Sequence, residues 1–104
     1  MGSRLKLHEK LKTILGNENV YFQPPPSLNM KYPAIRYSLA DIRTDAADNI
    51  NYYKKVKRYT VILIHKNPDN EIVDTLIENN FSFDRFYTSD GLNHYVFTYY
   101  DKGE

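Results

Sequence analysis

Apolar residues follow two rhythms along the chain. From Arg4 to Leu15 they recur at helical spacing, as Leu7, Leu11, Ile14 and Leu15, with Lys6, Lys10 and Lys12 mostly on the other side. This predicts an amphipathic helix with one apolar stripe, capped at Ser3 and stopped at Gly16-Asn17. His8 borders the stripe and reads as a helix-flank residue. Asn19 to Gln23 is a short strand, ended by Pro24-Pro25-Pro26, which cannot donate backbone hydrogen bonds and forms a rigid extended segment. From Ala34 to Ile42 the rhythm changes to alternation, with Ile35, Tyr37 and Leu39 on one face and Arg36 and Ser38 on the other. That is a half-buried strand. Asp41 to Asn51 has no strong period and is read as the longest loop, its Asp41, Asp45 and Asp48 partly offset by Arg43.

Tyr52 to Lys66 is the longest predicted strand. Tyr59, Val61 and Leu63 alternate with Thr60, Ile62 and Ile64, so its second half is apolar on both faces and belongs in the centre of a sheet or under a partner. Its first half, Tyr52 to Arg58, is basic and is expected to project. Asn67-Pro68-Asp69 reads as a helix start, followed by an apolar face of Ile72, Val73, Leu76 and Ile77 and a stop at Asn79-Asn80. Phe81 to Thr88 and Asn93 to Tyr100 are two final strands around Ser89-Asp90-Gly91-Leu92, a strong hairpin signal, with Tyr95, Phe97 and Tyr99 sharing a face. The order α-β-β-β-α-β-β predicts one α+β domain over residues 1–104, a small sandwich of a mostly antiparallel sheet with two helices on one face.

Composition narrows the function. The chain has 104 residues, fourteen basic and thirteen acidic, for a net charge of +1, which argues against gripping nucleic acid by bulk charge. Without cysteine there is no disulfide and no thiolate metal site. The longest apolar run, Val61 to Ile64, is far short of the ~20 residues of a membrane span, and Met1 to Lys10 has no apolar signal core, so secretion is not expected. Ten tyrosines and five phenylalanines are many for this length. Tyrosine joins a large apolar ring to a polar tip, which suits both strands and contacts between subunits.

Two groups could carry chemistry. Asp84, Asp90, Asn93 and His94 stand close in sequence around the last hairpin, and carboxylates with an imidazole are what a divalent metal or an acid–base pair requires. Hairpins also gather these residues for turn chemistry alone, and we read Asp84-Arg85 as a structural pair and Asp90 as a turn cap. The basic run Lys54, Lys55, Lys57 and Arg58, flanked by Tyr52, Tyr53 and Tyr59, combines phosphate-neutralising and base-stacking side chains. Its charge divides between two strand faces, which suits a projecting hairpin better than a flat binding sheet. No glycine-rich phosphate loop, nucleophile elbow or metal-spaced histidine pair is present, and no catalytic residue, metal or cofactor is assigned.

Asn19-Val20-Tyr21-Phe22-Gln23-Pro24-Pro25, Met30 to Tyr37, Tyr59-Thr60-Val61, Asn67 to Ile72 and above all Ser82 to Thr98, with its Asp-Arg-Phe-Tyr and Leu-Asn-His-Tyr-Val-Phe segments, resemble one group of proteins. These are the tail terminators (tail-completion, head–tail joining proteins) of tailed phages and prophages. The resemblance implies a virion protein at the tail–neck junction, made in the bacterial cytoplasm and without enzymatic activity. It would form a ring, six copies in the family picture, that caps the tail tube, ends its polymerisation and meets the head-completion proteins, while DNA passes through the lumen without specific binding and no membrane is involved. On that reading Tyr52, Tyr53, Lys55, Lys57, Arg58 and Tyr59 are the candidate subunit or tube interface. Asp41, Asp45 and Asp48 form a candidate channel or partner loop, and Asp84, Arg85, Asp90, Asn93 and His94 a structural hairpin. The alternatives are a head-completion or stopper protein one ring further up, a nucleic-acid module using the Tyr52–Arg58 strand, or a metal-dependent nuclease using Asp84, Asp90 and His94.

Overall fold

A computed structural model describes residues 3–25, 29–46 and 53–101. Helix α1 (Ser3–Leu15) is followed by strands β1 (Val20–Phe22), β2 (Ala34–Ala46) and β3 (Tyr53–His65), helix α2 (Ile72–Glu78), and strands β4 (Ser82–Ser89) and β5 (Leu92–Asp101). The strands form one sheet in the order β1-β2-β3-β5-β4. Only β1 and β2 run parallel; the other pairs are antiparallel. This is the expected α+β architecture in the expected order, with β3 at the centre.

Both helices cover the same face. Leu7, Leu11 and Leu15 are buried one turn apart, and with Leu76 of α2 they meet Ile35, Tyr37, Tyr59, Val61, Leu63, Tyr95 and Phe97 in one cluster. The odd-numbered positions of β3 and β5 therefore form the core face, as the alternation requires. Gly16 stops α1 with φ +84, a left-handed conformation that glycine adopts without a Cβ penalty. Beyond the stop, Lys12 reaches Glu18 at 2.9 Å and so joins the last turn to the following loop.

Helix α2 starts later than its sequence suggests. Asn67 Oδ1 accepts the Asp69 N–H at 3.0 Å, closing a tight turn, and Asn70 Oδ1 then accepts the Val73 N–H at 3.2 Å, so Asn70 performs the capping expected of Asn67. At the other end Asn80 has φ +71, its N–H reaches the Ile77 carbonyl, and the Phe81 N–H reaches the Leu76 carbonyl. That Schellman arrangement turns Phe81, 1% exposed, into the core beside Leu76, so β4 begins one residue later than expected. Ile77, expected on the apolar face, is exposed.

The largest departure lies at Asp41–Asn51. Instead of opening a loop there, β2 continues to Ala46 and pairs with Tyr53–Arg58. The register slips by one residue between Leu39 and Asp41, a bulge that interrupts the alternation on which the loop assignment rested. Leu39, expected in the core, sits at its margin and is partly exposed.

Candidate functional site

The continuation of β2 and β3 makes an arm. β1 pairs with β2 only at Ile35–Tyr37, and β5 meets β3 only from Lys57 onward, so Arg43–Ala46 and Tyr53–Val56 have each other as their sheet neighbours among the described residues and reach past the core. The molecule measures 53 × 27 × 22 Å with a radius of gyration of 15.1 Å. A compact chain of this length would have ~13 Å, and the arm accounts for the excess. Two-stranded ribbons are marginal in water. This one grows from an existing sheet, with Asp41 in register with Arg58 and Asp45 in register with Lys54. Five bases (Arg43, Lys54, Lys55, Lys57, Arg58) against these two acids leave the arm basic on a nearly neutral protein.

Of the expected interface residues, Lys57 and Arg58 lie at the root of the arm, both half-buried, and the backbone of Tyr53 and Lys55 lies further out. Tyr52 and Asp48 lie outside the described residues. Tyr59 is no surface residue: it is 2% exposed, and its ring meets Tyr37 edge-on at 6.0 Å between centroids. It belongs to the core because the alternation that makes the strand amphipathic starts one residue before the apolar run. Asp41 and Asp45 do not form an acidic loop either. They stand on a strand, each in register with a base of the partner strand.

Sequence reasoning missed the edge formed by β4. All eight of its residues are exposed, and no strand lies on its outer side among the described residues. A bulge between Phe83 and Arg85 lets two phenylalanines three apart share the helix-bearing face, where Phe83 lies 5.7 Å from the Phe97 ring and Phe86 5.1 Å from the Tyr95 ring. Each keeps nearly half of its surface in solvent, at 49% and 47%, and Ile77 of α2 is 49% exposed. The surrounding stretch from Asn67 to Asp84 has five acids and no base. The spacing of Phe83 and Phe86, out of phase with strict alternation, was the available signal.

The hairpin group does not converge. Asp84 sits at the bulge, bonded to Arg85 at 2.9 Å, while Asp90 holds the distant tip at φ +54. Asn93 donates to the carbonyls of His65 and Lys66, and the His94 ring stacks on Tyr87 at 4.6 Å on the opposite face of the sheet. Among the described residues no three His, Asp or Glu side chains gather as metal ligands would.

One further polar group enters the core. The Tyr37 hydroxyl is hydrogen-bonded to His8 Nδ1 at 2.7 Å, in a direction set by the imidazole tautomer, and accepts from Arg4 Nη1 at 3.5 Å. Burial, then Lys12 and Arg4, hold the His8 imidazole below its ordinary pKa, and burial pushes the Tyr37 phenol up. The surface also has a hollow of about 180 Å³ between Gln23, Arg36, Ser38 and Thr60 and another of about 350 Å³ between Asp69, Asp74 and Tyr95. No helix among the described residues is long and apolar enough to cross a membrane. Compared with protein-family models and with curated proteins, the chain matches none of them.

Proposed function

We propose that this chain is a structural virion protein of a tailed phage, a tail terminator whose ring caps the tail tube, ends its polymerisation and joins the tail to the head-completion proteins. The observation that carries the reading is the pairing of a protruding basic arm with an open aromatic strand edge on one small subunit. A ring is built by head-to-tail contacts, each of which needs two different surfaces on every copy. The segments that resemble tail terminators include β4 and β5 as well as the core of β2. On this reading the protein has no turnover and no cofactor, and DNA passes through the lumen without sequence-specific contacts.

The test is to add the protein to polymerising tail-tube protein encoded in the same structural module and image the products by negative-stain electron microscopy. Tubes of arrested length with a ring at one end are expected. Unchanged tube growth and no bound ring would reject the terminator role. A ring that binds head-completion protein but not tubes would instead favour a stopper one ring further up. The excess of bases on the arm supports a second reading, a nucleic-acid module, which requires steeply salt-dependent duplex binding lost on neutralising Lys57 and Arg58.

A further inference from the structure

We infer that the open edge of β4 is the seat for the arm of a second copy of this chain. The inference rests on the ring reading for its biological setting, but its argument is the distribution of charge and exposed backbone. β4 has its inner side paired to β5, and no strand covers its outer side among the described residues. Such an edge presents unpaired N–H and C=O groups and accepts another extended strand. The arm supplies one: the segment Tyr53–Val56 of β3 pairs with β2 on one side and lies before the residues that pair with β5.

Charge selects this occupant. Before β4 the chain from Asn67 to Glu78 carries Asp69, Glu71, Asp74 and Glu78 without a base, while Asp84 within β4 is already paired with Arg85 and Lys10 lies over Phe81. Asp74 and Glu78 lie four residues apart on α2, both exposed, and flank the exposed Ile77. The arm is the basic counterpart, with Lys54, Lys55, Lys57 and Arg58 in five positions of one strand. An acidic border repels nucleic acid but attracts this strand, and the exposed rings of Phe83 and Phe86 give the contact a centre that water leaves on docking. The arm and the β4 edge are different surfaces, so the contact is heterologous: one copy gives its arm and receives its neighbour's.

The test is a charge exchange read by sedimentation and light scattering over a concentration series in low salt. One variant reverses the arm (Lys57→Glu with Arg58→Glu), a second reverses the flank (Asp74→Lys with Glu78→Lys), and a third carries all four changes. The wild type is expected to self-associate, each single reversal to weaken association about tenfold or more, and the fourfold variant to recover most of it. Recovery separates loss of contact from loss of fold, and circular dichroism checks each variant. Amides of β4 should gain protection from hydrogen exchange in the associated wild type. A wild type that stays monomeric throughout, reversals that leave association unchanged, or an arm reversal that removes duplex binding instead of association would overturn the inference. Association through other surfaces would reject this contact and leave the ring reading standing. Recovery by charge exchange in a protein that never caps tubes would do the opposite.

Discussion

The Tyr37 hydroxyl brings a polar pair to the margin of an otherwise apolar core, and its partner gives the fold a dependence on pH. His8 Nδ1 can accept from Tyr37 only while it is unprotonated. A proton on the ring would add a third cation beside Arg4 and Lys12, opposed only by Glu9 and Glu18. The native pKa is therefore lowered while that of the unfolded chain stays near 6.5, so unfolding takes up a proton in the window between the lowered native value and about 6.5. Stability is complete above about pH 6.5 and declines as the pH falls toward the lowered native value. His65, lowered by burial, contributes with the same sign. Melting followed by calorimetry between about pH 7.5 and 5 should show this decline, and His8→Gln should flatten part of it. The position of His8 beside the leucine stripe was legible in the sequence. Its partner was not, because Tyr37 lies twenty-nine residues away and the contact exists only once β2 packs under α1.

Elements whose local signals agree with their place in the fold could be read directly. The Asp90-Gly91 turn has φ +54 and +74, the geometry of a two-residue hairpin that follows the twist of β4 and β5. A Cβ at Gly91 would meet nothing within 4 Å. Gly91→Ala should therefore cost only the left-handed backbone penalty, about 1–2 kcal/mol, measured by urea unfolding with an unchanged slope. The start of α2 misled because Asn67 and Asn70 both make side-chain caps and only the second opens the helix. The first half of the arm misled for a different reason. Asp41, Ile42, Arg43 and Thr44 lie beyond the core and carry no alternating pattern, and the strand residues that they pair with lie more than ten positions away. The exposure of β4 depended on strand order: a sequence that places β5 beside β3 must leave β4 outside, and no local signal records that choice.

For the molecule as a whole, body and arm should be separable. The core ends at the Leu39–Tyr59 pair, so the ribbon beyond it adds length without burying the central cluster. Replacing residues 43–56 with Asn-Gly would close a tight hairpin between Ile42 and Lys57, which already face each other. Stability should change by no more than about 1 kcal/mol, because a shorter loop closes at lower entropic cost. By small-angle scattering the radius of gyration should drop from 15.1 Å toward ~12–13 Å. Loss of the cooperative melt would mean that the arm is part of the folding unit.

The root of the arm has a consequence of its own. Ala40 is the extra residue at the slip between Leu39 and Asp41, and the direction in which the ribbon leaves the body is fixed there. The six residues beyond it, Asp41–Ala46, span roughly 20 Å at ~3.3 Å each. In a closed ring, the angle between neighbours determines how many copies fit, and the step from six to seven is a turn of under ~10° per contact. One small side chain at a bend would then act as the protractor of the assembly. On the ring reading proposed above, deleting Ala40 would leave every contacting residue in place and change the number of subunits in the circle.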